Sequence, residues 1–225
     1  MLRTSAPLIG ALDVFQGECL MNVGKSIQKC IDEWQAGDFE SAMLHACNAV
    51  DGTAGKKYPS LGNKARFARF IRENYPIFGP MAAPGINIVD TRWPVAIKNP
   101  TADGGKPDLA DVIYSVHRCT HGHGDELPDG FELMPDAAGA PERTRFLVAD
   151  GKIMLSDRTL FGMIAICVAS DSNKNQTVPD GYFLTFGATH KLVINAWWGR
   201  EAELLALVSS VPLPNVKMDF GDWMK

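Results

Sequence analysis

The chain has 225 residues, 46% of them hydrophobic and 21% charged, with a formal net charge of −4. This composition fits a soluble globular protein with one sizeable core, and it argues against a disordered tail or a protein that coats nucleic acid by bulk electrostatics. Its longest apolar runs are far shorter than the roughly 20 residues that span a bilayer, no signal-peptide pattern opens it, and five cysteines without a CxxC pair speak against a disulfide scaffold, so a cytoplasmic location is expected.

From Val23 the apolar positions Val23, Ile27, Cys30, Ile31 and Trp34 fall on one helical face, and Gly37-Asp38 interrupts the pattern. A second helix is expected from about Phe39, with Met43, Cys47, Val50 and Ala54 on its stripe, ending in the run Gly55 to Pro59. The two form a helical hairpin. Ser60 is the expected cap of a third helix, with Phe67, Phe70, Ile71 and Tyr75 inward. Lys56, Lys57, Lys64, Arg66, Arg69 and Arg72 place six cations in seventeen residues with no acid among them. Such a run is either a solvated helix face or a phosphate-binding surface.

Residues 76–107 are rich in proline and glycine, which excludes a long helix and points to an ordered surface connection or flap. Pro107-Asp108 then opens another helix, with Leu109, Val112, Ile113, Val116 and Thr120 inward. After Gly124 the pattern turns toward strands. Residues 146–148 and 153–155 flank the turn signal Asp150-Gly151, and residues 182–186 with 192–196 form a second β pair. Between them Ser156 caps an expected helix through Cys167 that is apolar almost all round. Residues 128–133 echo residues 179–184, the same turn into a strand used twice. Glu201 to Val208 is a last amphipathic segment before a proline-rich tail. The expected fold class is mainly α (α+β), a single domain over 1–225, with a helical bundle carrying a small C-terminal β-hairpin addition.

The helix that opens at Pro107 leads into VHRCTHGHGDE, residues 116–126, which holds three of the five histidines. Arg118 offers a planar fork of donors to phosphate oxygens, and a histidine titrating near neutrality can take or give a proton. Gly122 and Gly124 let the helix stop, so that His123 can swing back toward Arg118. With RNA the nucleophile is the substrate's own 2′-OH, so no metal is required.

Arg118-Cys119-Thr120-His121-Gly122-His123 resembles the R-x4-6-H signature of the HEPN superfamily (higher eukaryotes and prokaryotes nucleotide-binding), in its R-x4-H form. The helical hairpin and the helix ending at the motif also resemble that family's order of elements, over residues 23–126, with the helix at 156–170 completing the bundle and β elements at about 131–155 and 181–197. Cys119 stands where many active members carry a polar residue. The resemblance implies a metal-independent endoribonuclease, completed across a homodimer, that leaves a 2′,3′-cyclic phosphate. It also permits a relative that binds RNA and cuts nothing. In the first case Arg118 binds the scissile phosphate, His123 is the general acid or base, and His121 substitutes for it or orients it. Asp51 or Asp111 supports the pair, and Arg66, Arg69 and Lys64 track the RNA backbone. No cofactor and no metal are called for.

Two other classes stay open. One is a non-catalytic RNA-binding or protein-interaction module, a partner of a toxin–antitoxin or defence system, built on the aromatic residues 182–186 with Trp197 and Trp198. The other is a metal-dependent hydrolase, because His117 and His121 are four residues apart and His123, Asp125, Glu126 or Cys119 can add ligands. The HExxH glutamate is missing, there is no Gly-x-Ser-x-Gly, and the glycines at 104 and 105 do not form a phosphate-binding loop. The non-functional alternative is also concrete: histidines at a helix C-terminus are favoured by its dipole, and Arg118 can simply pair with Asp111 or Glu126.

Overall fold

The computed structural model describes residues 22–122, 131–136, 144–149, 152–187 and 189–221. It is mainly α with a small β addition, as the hydrophobic periodicity predicts. α1 (Val23–Ala36) begins at Asn22, whose side chain accepts from the Lys25 N–H at 2.9 Å. It ends at Gly37, whose φ of 82° is a left-handed conformation that glycine adopts without a Cβ penalty. Asp38 then caps α2 (Phe39–Lys57) by accepting from the Ser41 N–H at 2.9 Å. These adjacent caps satisfy end groups of both helices and fold the chain back as the expected hairpin. Ala42, Ala46, Ala49 and Ala54 are buried on α2, and these small side chains let α1, α3, α5 and α6 pack around it.

α3 spans Asn63–Glu73 and is capped by Gly62, not by Ser60. Ser60 is held in a turn in which the Leu61 N–H bonds the Tyr58 carbonyl. Tyr75 belongs to a separate helix, α4 (Tyr75–Ala82). The chain breaks at Asn74, whose side-chain amide bonds the Phe70 carbonyl at 2.8 Å, and Pro76 sits in the first turn of α4, where its missing N–H costs nothing. The expected connection over 76–107 therefore begins with an eight-residue helix. Beyond it the segment is pinned: the Trp93 N–H bonds the Pro107 carbonyl, and Asp111 accepts from the backbone of Thr101 and Ala102.

α5 spans Leu109–Gly122, with side chains described as far as Val116. β1 (Phe131–Met134) pairs in parallel with β3 (Lys152–Ser156), and β2 (Leu147–Ala149) pairs antiparallel with the other edge of β3. The turn expected between β2 and β3 lies outside the described residues, as does the first turn of the internal echo; its strands are β1 and β4. Ser156 completes β3 and Asp157 takes the N-cap position of α6 (Arg158–Ala169), although Ser156 Oγ still accepts from the Arg158 N–H at 3.2 Å. α6 is buried along almost its whole length. Its Gly162 meets α4 so closely that a Cβ there would lie 2.6 Å from that of Ala82.

β4 (Phe183–Phe186) and β5 (His190–Val193) form the second pair. β5 stops earlier than the alternation suggests, because residues 194–196 wind into a 3-10 turn. α7 (Glu201–Ser209) leads to a tail whose Val216 bonds Gly85 and Asn87. Among the described residues no helix is long and apolar enough to cross a membrane.

Candidate functional site

The backbone of α5 continues through Gly122, so Arg118, Cys119 and His121 lie on its last turns. Their side chains, that of His117, and the whole of His123, Asp125 and Glu126 lie outside the described residues. One turn before Arg118, Tyr114 is nearly buried and packs its ring edge-on against Phe67 at 5.4 Å. Lys64 of α3 brings its Nζ to 5.9 Å from the Tyr114 ring and donates to the carbonyl of Asn99. The structure thus places Lys64 beside the α5 face that leads to the motif.

The other cations of the basic stretch point to different partners. Arg66 Nη2 meets Asp51 at 3.1 Å, and Arg69 Nε meets Glu73 at 2.6 Å while its guanidinium lies over the Tyr58 ring. Arg72 Nε meets Asp108 at 2.6 Å and its Nη2 meets Asp111 at 3.1 Å. Lys57 is 3.9 Å from Glu201, and Lys56 donates to the amide oxygen of Asn173 at 3.0 Å. The stretch contains no acid, yet four of its six cations are met by carboxylates outside it, three of them by groups from other parts of the fold and one, Arg69, by Glu73 at the end of α3 itself. Lys56 and Lys64 bond neutral oxygens instead, and among the described residues neither meets an acid.

Asp51 and Asp111, named above as supports for the motif, are engaged in this way. Asp111 is fully buried and accepts from the Thr101 N–H, the Thr101 hydroxyl and the Ala102 N–H in addition to Arg72. Asp108 accepts from Arg72, the Tyr75 hydroxyl and the Asp111 N–H. Burial alone would raise its carboxyl pKa, but the hydrogen bonds from Arg72 and the Asp111 N–H outweigh it and hold the group below the ordinary value. The same cluster raises Tyr75, first by burial and then through the neighbouring Asp108 charge.

Cys30, Cys47 and Cys167 are fully buried between α1, α2 and α6, and burial pushes all three thiols up, Cys167 to about 12. They act as small apolar side chains. Among the described residues no group of three or more His, Cys, Asp or Glu side chains is arranged to hold a metal.

The structure adds a cavity of about 510 Å³ between the end of α1, the start of α6 and β4. Trp34, Phe161, Tyr182 and Phe183 contribute to its walls, together with Arg158 and Asp180. Trp34 and Phe161 meet edge to face at 4.9 Å, and the Trp34 indole donates to buried Asp157 at 2.7 Å. Asp157 also accepts from the Asp136 N–H at 2.9 Å, which ties the wall to the end of β1. The Tyr182 hydroxyl donates to Asp32 of α1. Periodicity identifies Trp34 only as a core residue and residues 182–186 only as an aromatic strand. That they share one cavity depends on long-range packing, for which no local signal exists.

The family model Rv1289 matches residues 22–224, and the chain belongs to that family. It is similar to "Uncharacterized protein Rv1289" of Mycobacterium tuberculosis (strain H37Rv) and to "Uncharacterized protein Mb1320" of Mycobacterium bovis. Each is 37% identical over 203 residues, which cover 90% of this chain and 95% of the relative. No solved structure matches it.

Proposed function

We propose that this member of the Rv1289 family acts on RNA as a metal-independent endoribonuclease of HEPN type, with Arg118 and His123 as its catalytic pair. The observation that carries the reading is the unbroken course of α5 through Gly122, which sets Arg118 and His121 three residues apart on one helix, in the segment that leads to His123. Lys64 supports it, as a cation beside Tyr114 that meets no carboxylate among the described residues. Arg118 holds the scissile phosphate and stabilises the charge that develops on it. A histidine takes the proton of the 2′-OH, which attacks the phosphate, and the 5′-oxygen leaves to give a 2′,3′-cyclic phosphate. Arg66 and Arg69 would have to exchange Asp51 and Glu73 for RNA phosphates, so Lys64 is the stronger candidate for backbone contact. The reading places the protein in the cytoplasm and completes its site across a homodimer.

The test is incubation of purified protein with labelled single-stranded and structured RNAs in EDTA, beside Arg118→Ala and His123→Ala. Cleavage to a cyclic phosphate is expected, falling about 10²-fold or more in either variant. Cleavage that persists in both variants would sink the assignment.

A second reading has its own observation. The commitment of Arg66, Arg69 and Arg72 to internal carboxylates, together with exposed Phe183 and Val193 on the β4–β5 pair, suits a protein-interaction module. Its partner would be an antitoxin or another component of a defence system. RNA that is neither bound nor cut would favour this reading.

A further inference from the structure

Among the described residues none of α5 borders the cavity at the end of α1, so a ligand held there is separate from RNA cleavage at the motif. Its volume of about 510 Å³ lies within the few hundred to one thousand Å³ typical of small-molecule sites. Its walls are fixed before any ligand arrives, because Trp34 is tied to Asp157 and Tyr182 to Asp32. Aromatic walls held in this way favour a flat ring, which they contact edge-on or face-on at little entropic cost.

The backbone of β4 selects among flat rings. Every residue from Asp180 to Thr185 borders the cavity, and none of β5 does. Phe183 and Thr185 are exposed and Leu184 is buried, so a cavity that meets all three runs along the edge of the strand and not over one face. β4 and β5 form a two-stranded sheet, which leaves the other edge of β4 without a strand among the described residues. The Ile194 N–H bonds the Tyr182 carbonyl at 3.1 Å, and backbone groups alternate in direction along an antiparallel pair, so those of Tyr182 and Leu184 point toward β5. Those of Phe183 and Thr185 point to the open edge. The Phe183 carbonyl and the Thr185 N–H flank Leu184 there, an acceptor beside a donor, in a cavity walled by Trp34 and Phe161. Neither charged residue of the lining is needed for this recognition: Arg158 is already engaged within the protein, and Asp180 is exposed.

We propose that this cavity binds an uncharged planar heterocycle that carries a hydrogen-bond donor and an acceptor side by side on its rim, as a free adenine-type base does. The exocyclic amine donates to the Phe183 carbonyl, the adjacent ring nitrogen accepts from the Thr185 N–H, and the ring lies against Trp34 and Phe161. The base thus takes the place of a third strand along β4, with two hydrogen bonds that a purely apolar ring cannot make.

Calorimetric titration of the full chain tests this with two probes of nearly equal shape: 9-methyladenine, and 6,9-dimethylpurine, in which a methyl group replaces the amine and no donor remains. 9-Methyladenine is expected to bind about tenfold more tightly, the scale of one lost hydrogen bond to a group left unpaired. Thr185→Pro removes the N–H at the open edge and leaves the ladder to β5 intact, because proline is tolerated where a strand's N–H faces away from its neighbour. It is expected to weaken 9-methyladenine by a similar factor. In amide NMR spectra of the parent, 9-methyladenine is expected to shift the Thr185 N–H more than that of Leu184, which is bonded to β5. Equal binding of the two probes, failure of 9-methyladenine to bind at millimolar concentration, or an unmoved Thr185 amide in its presence overturns the proposal. The probe pair and the amide shift both use the unaltered chain, so they decide the matter if Thr185→Pro does not fold.

Discussion

Arg69 and Arg72 stand one turn apart on α3, and each places its Nε 2.6 Å from a carboxylate oxygen. The pairs differ in everything but that distance. Arg69–Glu73 is a helix-surface pair whose side chains are 54% and 41% exposed. Arg72 reaches into a cluster where Asp108 is 4% and Asp111 0% exposed, and where Tyr75, Thr101 and Ala102 complete the hydrogen bonding. A surface ion pair gains little because water and salt screen it, and ordering two long side chains costs entropy. A buried cluster is different: its charges have already lost their water, and removing one partner leaves the others without compensation. Equal distances therefore predict unequal consequences.

The largest effect should come from Arg72→Ala, which leaves Asp108 and Asp111 buried without their cation. A loss of about 3–5 kcal/mol is expected by urea unfolding at neutral pH. If the variant were as stable as the parent, the cluster would be dispensable for the fold. Acid should act on the same cluster. Asp108 is held below its ordinary value of 3.8 in the folded protein, so its stabilising contribution is complete above that pH and is lost as pH falls through the folded value. Unfolding midpoints measured from pH 6 downward should fall in the parent. In Arg72→Ala, where protonation relieves an uncompensated charge, they should stay level or rise. The smallest effect belongs to Arg69→Ala. Its side chain is more than half exposed, and its unfolding midpoint should stay close to that of the parent, with any difference vanishing in high salt. A large, salt-resistant loss would show that the Tyr58–Arg69–Glu73 contacts do more than cover the surface.

The contrast also explains how much of the molecule could be read in advance. α1, α2 and their turn were legible because the apolar period and the Gly37-Asp38 break lie within a few residues of one another. The join of α3 and α4 was not, because the apolar stripe runs on through Phe70, Ile71 and Tyr75 while the chain breaks at Asn74. At the candidate site, the motif on α5 was visible as a run of ionisable residues, and Glu73 lies four residues after Arg69, where a helical partner is found. Asp51, Asp108 and Glu201 gave no sign that they would meet the basic stretch.

Helix periods, caps and turn residues act over a few positions, so the mainly α character, the helical hairpin and the antiparallel strand pairs were already present in the order of amino acids. Packing settled the rest: which carboxylate each cation meets, that Asp111 is buried and Glu73 is not, and that residues from α1, α6 and β4 enclose one cavity. Charge compensation and enclosure depend on which distant groups share a small volume from which water is excluded, and that is a property of the folded chain.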